Sequence, residues 1–272
     1  LILRSLVTSV SAFYERGSNV HGLKSTHDFK RWVTNSSYLV MAEFYRETCG
    51  VCVVFEKEWE KAATDLKHIV HFVGIDVEKD PKLSNKVIQR YGISVTGVPT
   101  VVAFTPNSKS PLVYNGERKA SAIKAWATST MPDFVKRLKP DTFDAWADYD
   151  KDNVRKVLLF SEKTSVAALM KAISSEFVGR VNFGLATKAA FAELAKRYGV
   201  SSYPTLVVLR RPADDFEDDT WINRHFGEHQ FASLALSAGQ KPTFRTLEGW
   251  TMPFASSPRR RKKTPKPKTH EL

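Results

Sequence analysis

The chain is poor in cysteine: only Cys49 and Cys52 occur among its 272 residues. There is no second Cys-x-x-Cys motif, and none of the seven histidines lies close to Cys49 and Cys52 in the chain. A structural zinc site needs four ligands, so the sequence does not support one. Only His225 and His229 have the helical i, i+4 spacing, and they lie far from the cysteines in the chain. We interpret them as surface histidines or as histidines hydrogen-bonded within the protein, not as metal ligands.

Long apolar runs are also missing. No stretch of 18 apolar residues occurs, so we predict no membrane-spanning helix. The apolar segment 1–12 ends in Val10-Ser11-Ala12 and is compatible with the remnant of a secretory signal, although it lacks a start and a full apolar core. The length is sufficient for two domains of about 110 residues and a tail.

The two cysteines form the motif Cys49-Gly50-Val51-Cys52 between an apolar run and an amphipathic segment. The run ending at Tyr45 predicts a buried strand, and apolar residues at 3.6-residue spacing predict a helix over 53–66. A helix N-terminus stabilises a thiolate, so Cys49 is the expected nucleophile and Cys52 the thiol that resolves the mixed disulfide. A purely structural disulfide is the alternative, but closing so short a loop stabilises a fold little.

The rest of the first half alternates between predicted strands and helices. Asp80 and Pro81 mark a helix start, and Gly92 marks its end. Strands are predicted over 70–76, 100–104 and 112–114, and a helix over 120–128. This order predicts an α/β fold with a mixed sheet and one hairpin.

Residues from about 20 to 130 resemble a thioredoxin-fold domain of the protein disulfide isomerase family. The matching segments, in order, are Ala42-Glu43-Phe44-Tyr45, Glu58-Trp59-Glu60-Lys61-Ala62-Ala63, Tyr91-Gly92-Ile93 and Val98-Pro99-Thr100. The resemblance implies a cis peptide bond between Val98 and Pro99, beside Gly50 and Val51, where a substrate backbone would dock. From the residues alone, Pro99 could equally be an ordinary proline at the start of a strand.

The resemblance assigns roles to two charged residues. It implies that Glu43 is a buried acid beneath Cys52, with a pKa raised by desolvation, which accepts the Cys52 proton through a water. It implies that Arg118 swings toward the site and lowers the pKa of Cys52. The alternatives are a solvated Glu43 at a sheet edge and a solvated loop arginine.

The chain departs from the family between the cysteines, where Gly50-Val51 replaces the usual Gly-His, and Thr48 replaces a tryptophan. A histidine there would place a cation near the Cys49 thiolate. Its loss predicts a higher Cys49 pKa and a more reducing dithiol than in Cys-Gly-His-Cys enzymes.

The second half repeats the pattern over roughly 105 residues. Tyr198-Gly199-Val200 and Tyr203-Pro204-Thr205 echo Tyr91-Gly92-Ile93 and Val98-Pro99-Thr100, whereas Ser161-Glu162-Lys163-Thr164 stands where the dithiol would be. We therefore predict a catalytic domain over 18–130, a linker over 131–151 and a redox-inactive thioredoxin-like domain over 152–248. The second domain would hold substrates or a chaperone partner, or serve as a spacer.

Residues 249–272 form a basic, proline-rich tail that we expect to be disordered. Its last four residues, Thr269-His270-Glu271-Leu272, resemble the retrieval signal of the endoplasmic reticulum. This resemblance favours a protein of the endoplasmic reticulum lumen whose C-terminus is bound by a retrieval receptor. A nuclear or cytosolic location directed by the basic tail is the alternative, and nucleic acid is not the expected partner. Asn35 begins a glycosylation sequon.

These features predict a thiol-disulfide oxidoreductase or protein disulfide isomerase acting on cysteines of folding secretory proteins. No cofactor is expected beyond the Cys49–Cys52 disulfide itself. The alternative is a thioredoxin-fold chaperone or binding module with slow or vestigial redox activity.

Overall fold

The structure is a computed structural model that describes residues 13–14, 17–106, 109–148, 154–210, 231–236 and 243–251. Segment 1–12, His225, His229 and residues 252–272, with the basic cluster and the last four residues, lie outside the described residues. The chain divides into two compact units. The first comprises residues 1–134 and 165–176, and the second comprises 135–164 and 177–272.

The first unit contains a five-stranded mixed sheet in the order β1-β3-β2-β4-β5. Its strands are β1 (Val20–Gly22), β2 (Val40–Tyr45), β3 (His71–Asp76), β4 (Thr100–Phe104) and β5 (Leu112–Tyr114). Strands β1, β3 and β2 are parallel, whereas β4 is antiparallel to β2 and β5 to β4. All six residues of the central β2 are buried, which explains why its sequence is apolar except at Glu43.

Helices accompany this sheet. They are α1 (Thr26–Phe29), continued by a π-helical segment (Lys30–Thr34), then α2 (Gly50–Asp65), α3 (Pro81–Tyr91) and α4 (Ala120–Thr130). Helix α2 buries the apolar face that its spacing predicts, and Trp59 packs edge-on against Phe72 of β3 with ring centres 4.8 Å apart. Helix α3 ends at Gly92, whose φ of 62° lies in the left-handed region that favours glycine.

The second sheet has the same order of strands, β6-β8-β7-β9-β10. Its strands are β6 (Val135–Arg137), β7 (Arg155–Ser161), β8 (Val181–Thr187), β9 (Thr205–Leu209) and β10 (Phe231–Ala235). As in the first sheet, the first three strands in this order are parallel and the last two are added antiparallel. The remaining helices are α5 (Pro140–Ala147), α6 (Ala168–Glu176), α7 (Ala192–Arg197) and α8 (Phe244–Thr251). The prediction of two tandem α/β domains is confirmed.

The stretch predicted as a linker, 131–151, contains part of the second sheet. Its residues 135–137 pair with β8 as strand β6, and α5 buries Phe143 and Trp146 in the core beside that sheet. The prolines and mixed charges of this stretch concealed both elements. Pro140 is in the first turn of α5, where a helix tolerates proline because the missing N–H has no intrahelical partner there.

Within the described residues, no helix combines the length and the apolar character needed to cross a lipid bilayer.

Candidate active site

Cys49 lies at the junction between β2 and α2. It is the N-cap residue of α2, with an extended backbone at φ −87° and ψ 111°. Its sulfur accepts a hydrogen bond from the backbone N–H of Cys52 at 3.2 Å, in the manner of the side-chain oxygen that usually caps a helix. The start of the helix therefore stabilises negative charge on this sulfur.

The two thiols have opposite pKa shifts. The hydrogen bond with the Cys52 side chain lowers the pKa of Cys49 most, and backbone N–H groups and the charge of Arg46 lower it further. Burial raises the pKa of Cys52 to about 12, and the interactions with Cys49 and Glu43 raise it as well. Cys49 is partly exposed and Cys52 is buried. Cys49 is thus suited to attack as a thiolate, while Cys52 holds its proton.

The Val98–Pro99 peptide bond, which is cis, borders the nucleophile. The Cys49 thiol donates to the carbonyl oxygen of Val98 with a sulfur-to-oxygen distance of 3.7 Å. Pro99 is buried and Val98 is partly exposed. The backbone of this loop is therefore within reach of a group bonded to Cys49.

Glu43 is a fully buried carboxyl on the central strand β2. Its neighbour across the sheet is Gly74 of β3, and the hydroxyl of Tyr14 donates a hydrogen bond to its Oε2 atom. Burial raises the pKa of Glu43 to about 8, so a proton binds and leaves it near neutral pH. The alternative of a solvated Glu43 at a sheet edge is wrong.

Arg118 lies on the loop before α4, with its side chain exposed. It lines a cavity of about 420 Å³ together with Pro99, Phe55 and Tyr114. Its charge lowers the pKa of Glu43, although burial of the carboxyl outweighs this effect. The structure thus places Arg118 on the wall of a cavity that Pro99 also lines.

Gly50 and Val51 form the exposed start of α2. The side chain of Val51 is 52% exposed, and that of Val54 one turn further is 74% exposed. An apolar surface therefore adjoins Cys49.

Comparison with known proteins matches residues 20–129 to the thioredoxin family model. These residues form a thioredoxin domain. Over 76–79% of its length, the chain is homologous to protein disulfide-isomerases. It is 29% identical over 232 residues to the protein disulfide-isomerase A6 homolog of Drosophila melanogaster, covering 76% of this chain and 52% of that protein.

A second relative is protein disulfide-isomerase A6 of Homo sapiens, which is 26% identical over 246 residues, covering 78% of this chain and 54% of that protein. The chain thus spans about half the length of these relatives. Among solved structures, the crystal structure of ERdj5 form II covers 88% of this chain and 30% of its own, with 16% identity and a TM-score of 0.49.

The second thioredoxin-like domain keeps the framework but not the dithiol. The Tyr203–Pro204 peptide bond is cis, like Val98–Pro99. The segment 161–164 begins at the last residue of β7, a position that corresponds to the end of β2 before Cys49, but it contains no cysteine. Glu162 in this segment is paired with Lys188 at 2.7 Å. Where the first domain has a nucleophile, the second has an exposed ion pair.

Two further features concern metal binding and the glycosylation sequon at Asn35. Among the described residues, no three or more His, Cys, Asp or Glu side chains are arranged to hold a metal ion. Asn35 is exposed and lies immediately after the π-helical segment, between it and β2. Its side chain is therefore accessible for modification.

The sequence analysis missed Tyr14, which provides the hydrogen bond to Glu43. Tyr14 precedes the first strand and lies 29 residues before Glu43 in the chain, so no local pattern connects the two. One signal was available in Gly74, because a glycine inside a buried strand often marks the close approach of another group.

Proposed function

We propose that this chain catalyses thiol-disulfide exchange on cysteine-containing proteins. The observation that carries the proposal is the pair of opposite pKa shifts at the start of α2. Cys49 is accessible with a lowered pKa, and one turn further Cys52 is buried with a raised one. A dithiol of this kind separates the attacking thiol from the resolving thiol.

The exchange begins when the Cys49 thiolate attacks one sulfur of a substrate disulfide. A Cys49–substrate disulfide forms, and the other substrate sulfur leaves as a thiolate. Cys52 then loses its proton and attacks the Cys49 sulfur, which forms the Cys49–Cys52 disulfide and releases the second substrate thiolate. The substrate gains two electrons and the dithiol loses two, and the reverse order oxidises a substrate. No other cofactor is required.

Val98 and Pro99 are proposed to dock the substrate backbone. The Val98 carbonyl already contacts the Cys49 thiol, so an extended chain attached to that sulfur would pass along this loop. The exposed valines 51 and 54 would cover apolar substrate side chains, as expected for a protein that acts on incompletely folded chains.

Turnover of insulin or of scrambled ribonuclease tests the proposal. We expect the wild type to be active and Cys49→Ser to be inactive. Cys52→Ser should accumulate a mixed disulfide with substrate, because Cys49 can attack but nothing resolves the product. Activity unchanged by Cys49→Ser would exclude the dithiol as the catalyst. Inactivity of the wild type, combined with suppression of substrate aggregation, would favour the chaperone or binding module.

We further propose that the protein acts in the lumen of the endoplasmic reticulum. Support comes from the resemblance of residues 269–272 to a retrieval signal and from the exposed sequon at Asn35. We expect removal of residues 269–272 to cause secretion of the protein, and restoration of Lys-Asp-Glu-Leu to retain it. We expect Asn35→Gln to abolish an endoglycosidase-sensitive mass shift. Retention without the last four residues, or nuclear accumulation, would contradict retrieval through this signal.

A further inference from the structure

The two oxygens of the Glu43 carboxyl have different surroundings. Oε2 accepts the hydrogen bond from the Tyr14 hydroxyl. Oε1 is buried and accepts no hydrogen bond from any group among the described residues. One oxygen is therefore held in place, and the other remains available to take a proton.

Tyr14 reaches Glu43 across the neighbouring strand. Gly74 pairs with Glu43, and a Cβ atom on Gly74 would lie 2.6 Å from the Cδ2 and Cε2 atoms of the Tyr14 ring. The ring therefore occupies the space that a side chain at position 74 would fill. It also packs edge-on against Tyr45 at 5.2 Å, and Phe13 stacks on the same tyrosine at 4.8 Å. These contacts hold the ring and direct its hydroxyl to β2.

We propose that Tyr14 is a positioning residue that holds the Glu43 carboxylate for proton transfer from Cys52. The inference rests on the proposed thiol-disulfide exchange. Tyr14 donates to Oε2, and Oε1 takes the proton of the Cys52 thiol as that sulfur attacks Cys49 in the mixed disulfide. The substrate leaves as a thiolate, and the protonated Glu43 later returns its proton to Cys52 or to solvent.

The groups around Glu43 set its pKa and therefore the pH dependence of the step in which Cys52 attacks Cys49. Burial and the charges of Glu56 and Cys49 raise the pKa of Glu43, while the Tyr14 hydrogen bond and the charge of Arg118 lower it. Tyr14 remains a donor at neutral pH, since burial and the proximity of Glu43 raise the pKa of its own hydroxyl. Removing the hydroxyl should raise the pKa of Glu43, because a hydrogen bond to a carboxylate favours the charged form.

The variant Tyr14→Phe tests this role because it keeps the ring over Gly74 and removes only the hydroxyl. We expect its Cys52-dependent resolution step, followed by stopped flow from pH 5 to 9, to be about tenfold slower at pH 7. The midpoint of the pH profile should move upward by about one unit, and the rate should recover above it. The alkylation rate of Cys49 should stay within about twofold of wild type, since Cys49 does not depend on Glu43 for its hydrogen bonds.

Two controls separate a positioning role of Tyr14 from a packing role. Tyr45→Phe removes a hydroxyl from the same group of rings and should leave the pH profile in place. In a Glu43→Gln background, adding Tyr14→Phe should cause no further change in the resolution rate. An unshifted pH profile in Tyr14→Phe, or an equal shift in Tyr45→Phe, would overturn the inference.

The Glu43 titration also provides a readout that needs no enzymatic activity. Infrared difference spectra of the carboxyl group, assigned with Glu43→Gln, should show a higher pKa in Tyr14→Phe than in wild type. If the wild type proves inactive but this shift is present, the proposed exchange fails while the positioning contact stands. If the wild type is active and the carboxyl titration is unchanged in Tyr14→Phe, the positioning role fails while the exchange stands.

Discussion

The sulfur of Cys49 accepts a hydrogen bond from the backbone N–H of Cys52, so the resolving cysteine helps to activate the attacking one. The bond lies within the first turn of α2 and does not depend on a distant side chain. The same turn buries the Cys52 thiol, which keeps its proton. The asymmetry of the dithiol thus arises from the geometry of one helix start.

Alkylation should distinguish the two thiols. At pH 7 and limiting iodoacetamide, we expect the reduced protein to be modified at Cys49 at least about tenfold faster than at Cys52, because only the thiolate reacts and the Cys52 pKa is raised to about 12. Mass spectrometry of the peptide that contains both residues gives the ratio. Unfolding in urea should abolish the preference. Equal rates in the folded protein would contradict the pKa assignment.

Introducing the missing histidine should change the redox potential. In Val51→His, an imidazolium near the Cys49 thiolate stabilises the reduced form, so the potential should become more oxidising by an amount on the order of 30 mV. Equilibration with glutathione measures it. The side chain at position 51 is more than half exposed, so the fold should tolerate the change. Val54→His, one turn further along α2, is the matched control and should shift the potential less.

The buried acid should make stability depend on pH. Burial raises the pKa of folded Glu43 to about 8, so between pH 4 and pH 8 the folded state binds this proton more tightly than the unfolded state does. Stability from this group is present below the unfolded pKa and is lost as pH rises through 8. Glu43→Gln lacks this titration, so its stability should not fall in the same way. The unfolding free energy of Glu43→Gln minus that of wild type should be about 3 to 5 kcal/mol more positive at pH 9 than at pH 4.

Urea unfolding of the reduced proteins at several pH values measures this difference. Glu117→Gln is the control, because Glu117 is exposed and forms an ion pair with Lys119 at the surface. A constant difference between Glu43→Gln and wild type across pH would show that Glu43 titrates normally.

A methyl group at Gly74 should collide with the Tyr14 ring. We expect Gly74→Ala to lower the free energy of unfolding by about 1 to 3 kcal/mol, since the added Cβ lies 2.6 Å from ring atoms. In a Tyr14→Ala background the same change should cost less, and a double-mutant cycle gives the coupling. Gly97→Ala serves as the control, because a Cβ there meets no atom within 4 Å. Equal losses in both backgrounds would mean that ring and glycine are not in contact.

Most of the first sheet could be predicted from the chain alone. Strands β4 and β5 have the predicted bounds, and α2 differs by a few residues, because alternating apolar stretches and helical spacing are local properties. Strand β6 and helix α5 were missed, since Val135–Arg137 is short and becomes a strand only by pairing with β8. Proline and charge in that stretch resemble a linker until the partner strand is known.

The sequence by itself determined the dithiol, its place at the start of a helix, the cysteine-free repeat and the expectation that an acid lies in β2. Each of these depends on spacing along the chain, which needs no knowledge of distant contacts. Only the tertiary structure decided that Glu43 is fully buried, that Tyr14 holds one of its oxygens and that Gly74 makes room for the ring. Tyr14 lies 29 positions before Glu43 and Gly74 lies 31 positions after it, so only folding brings the three residues together.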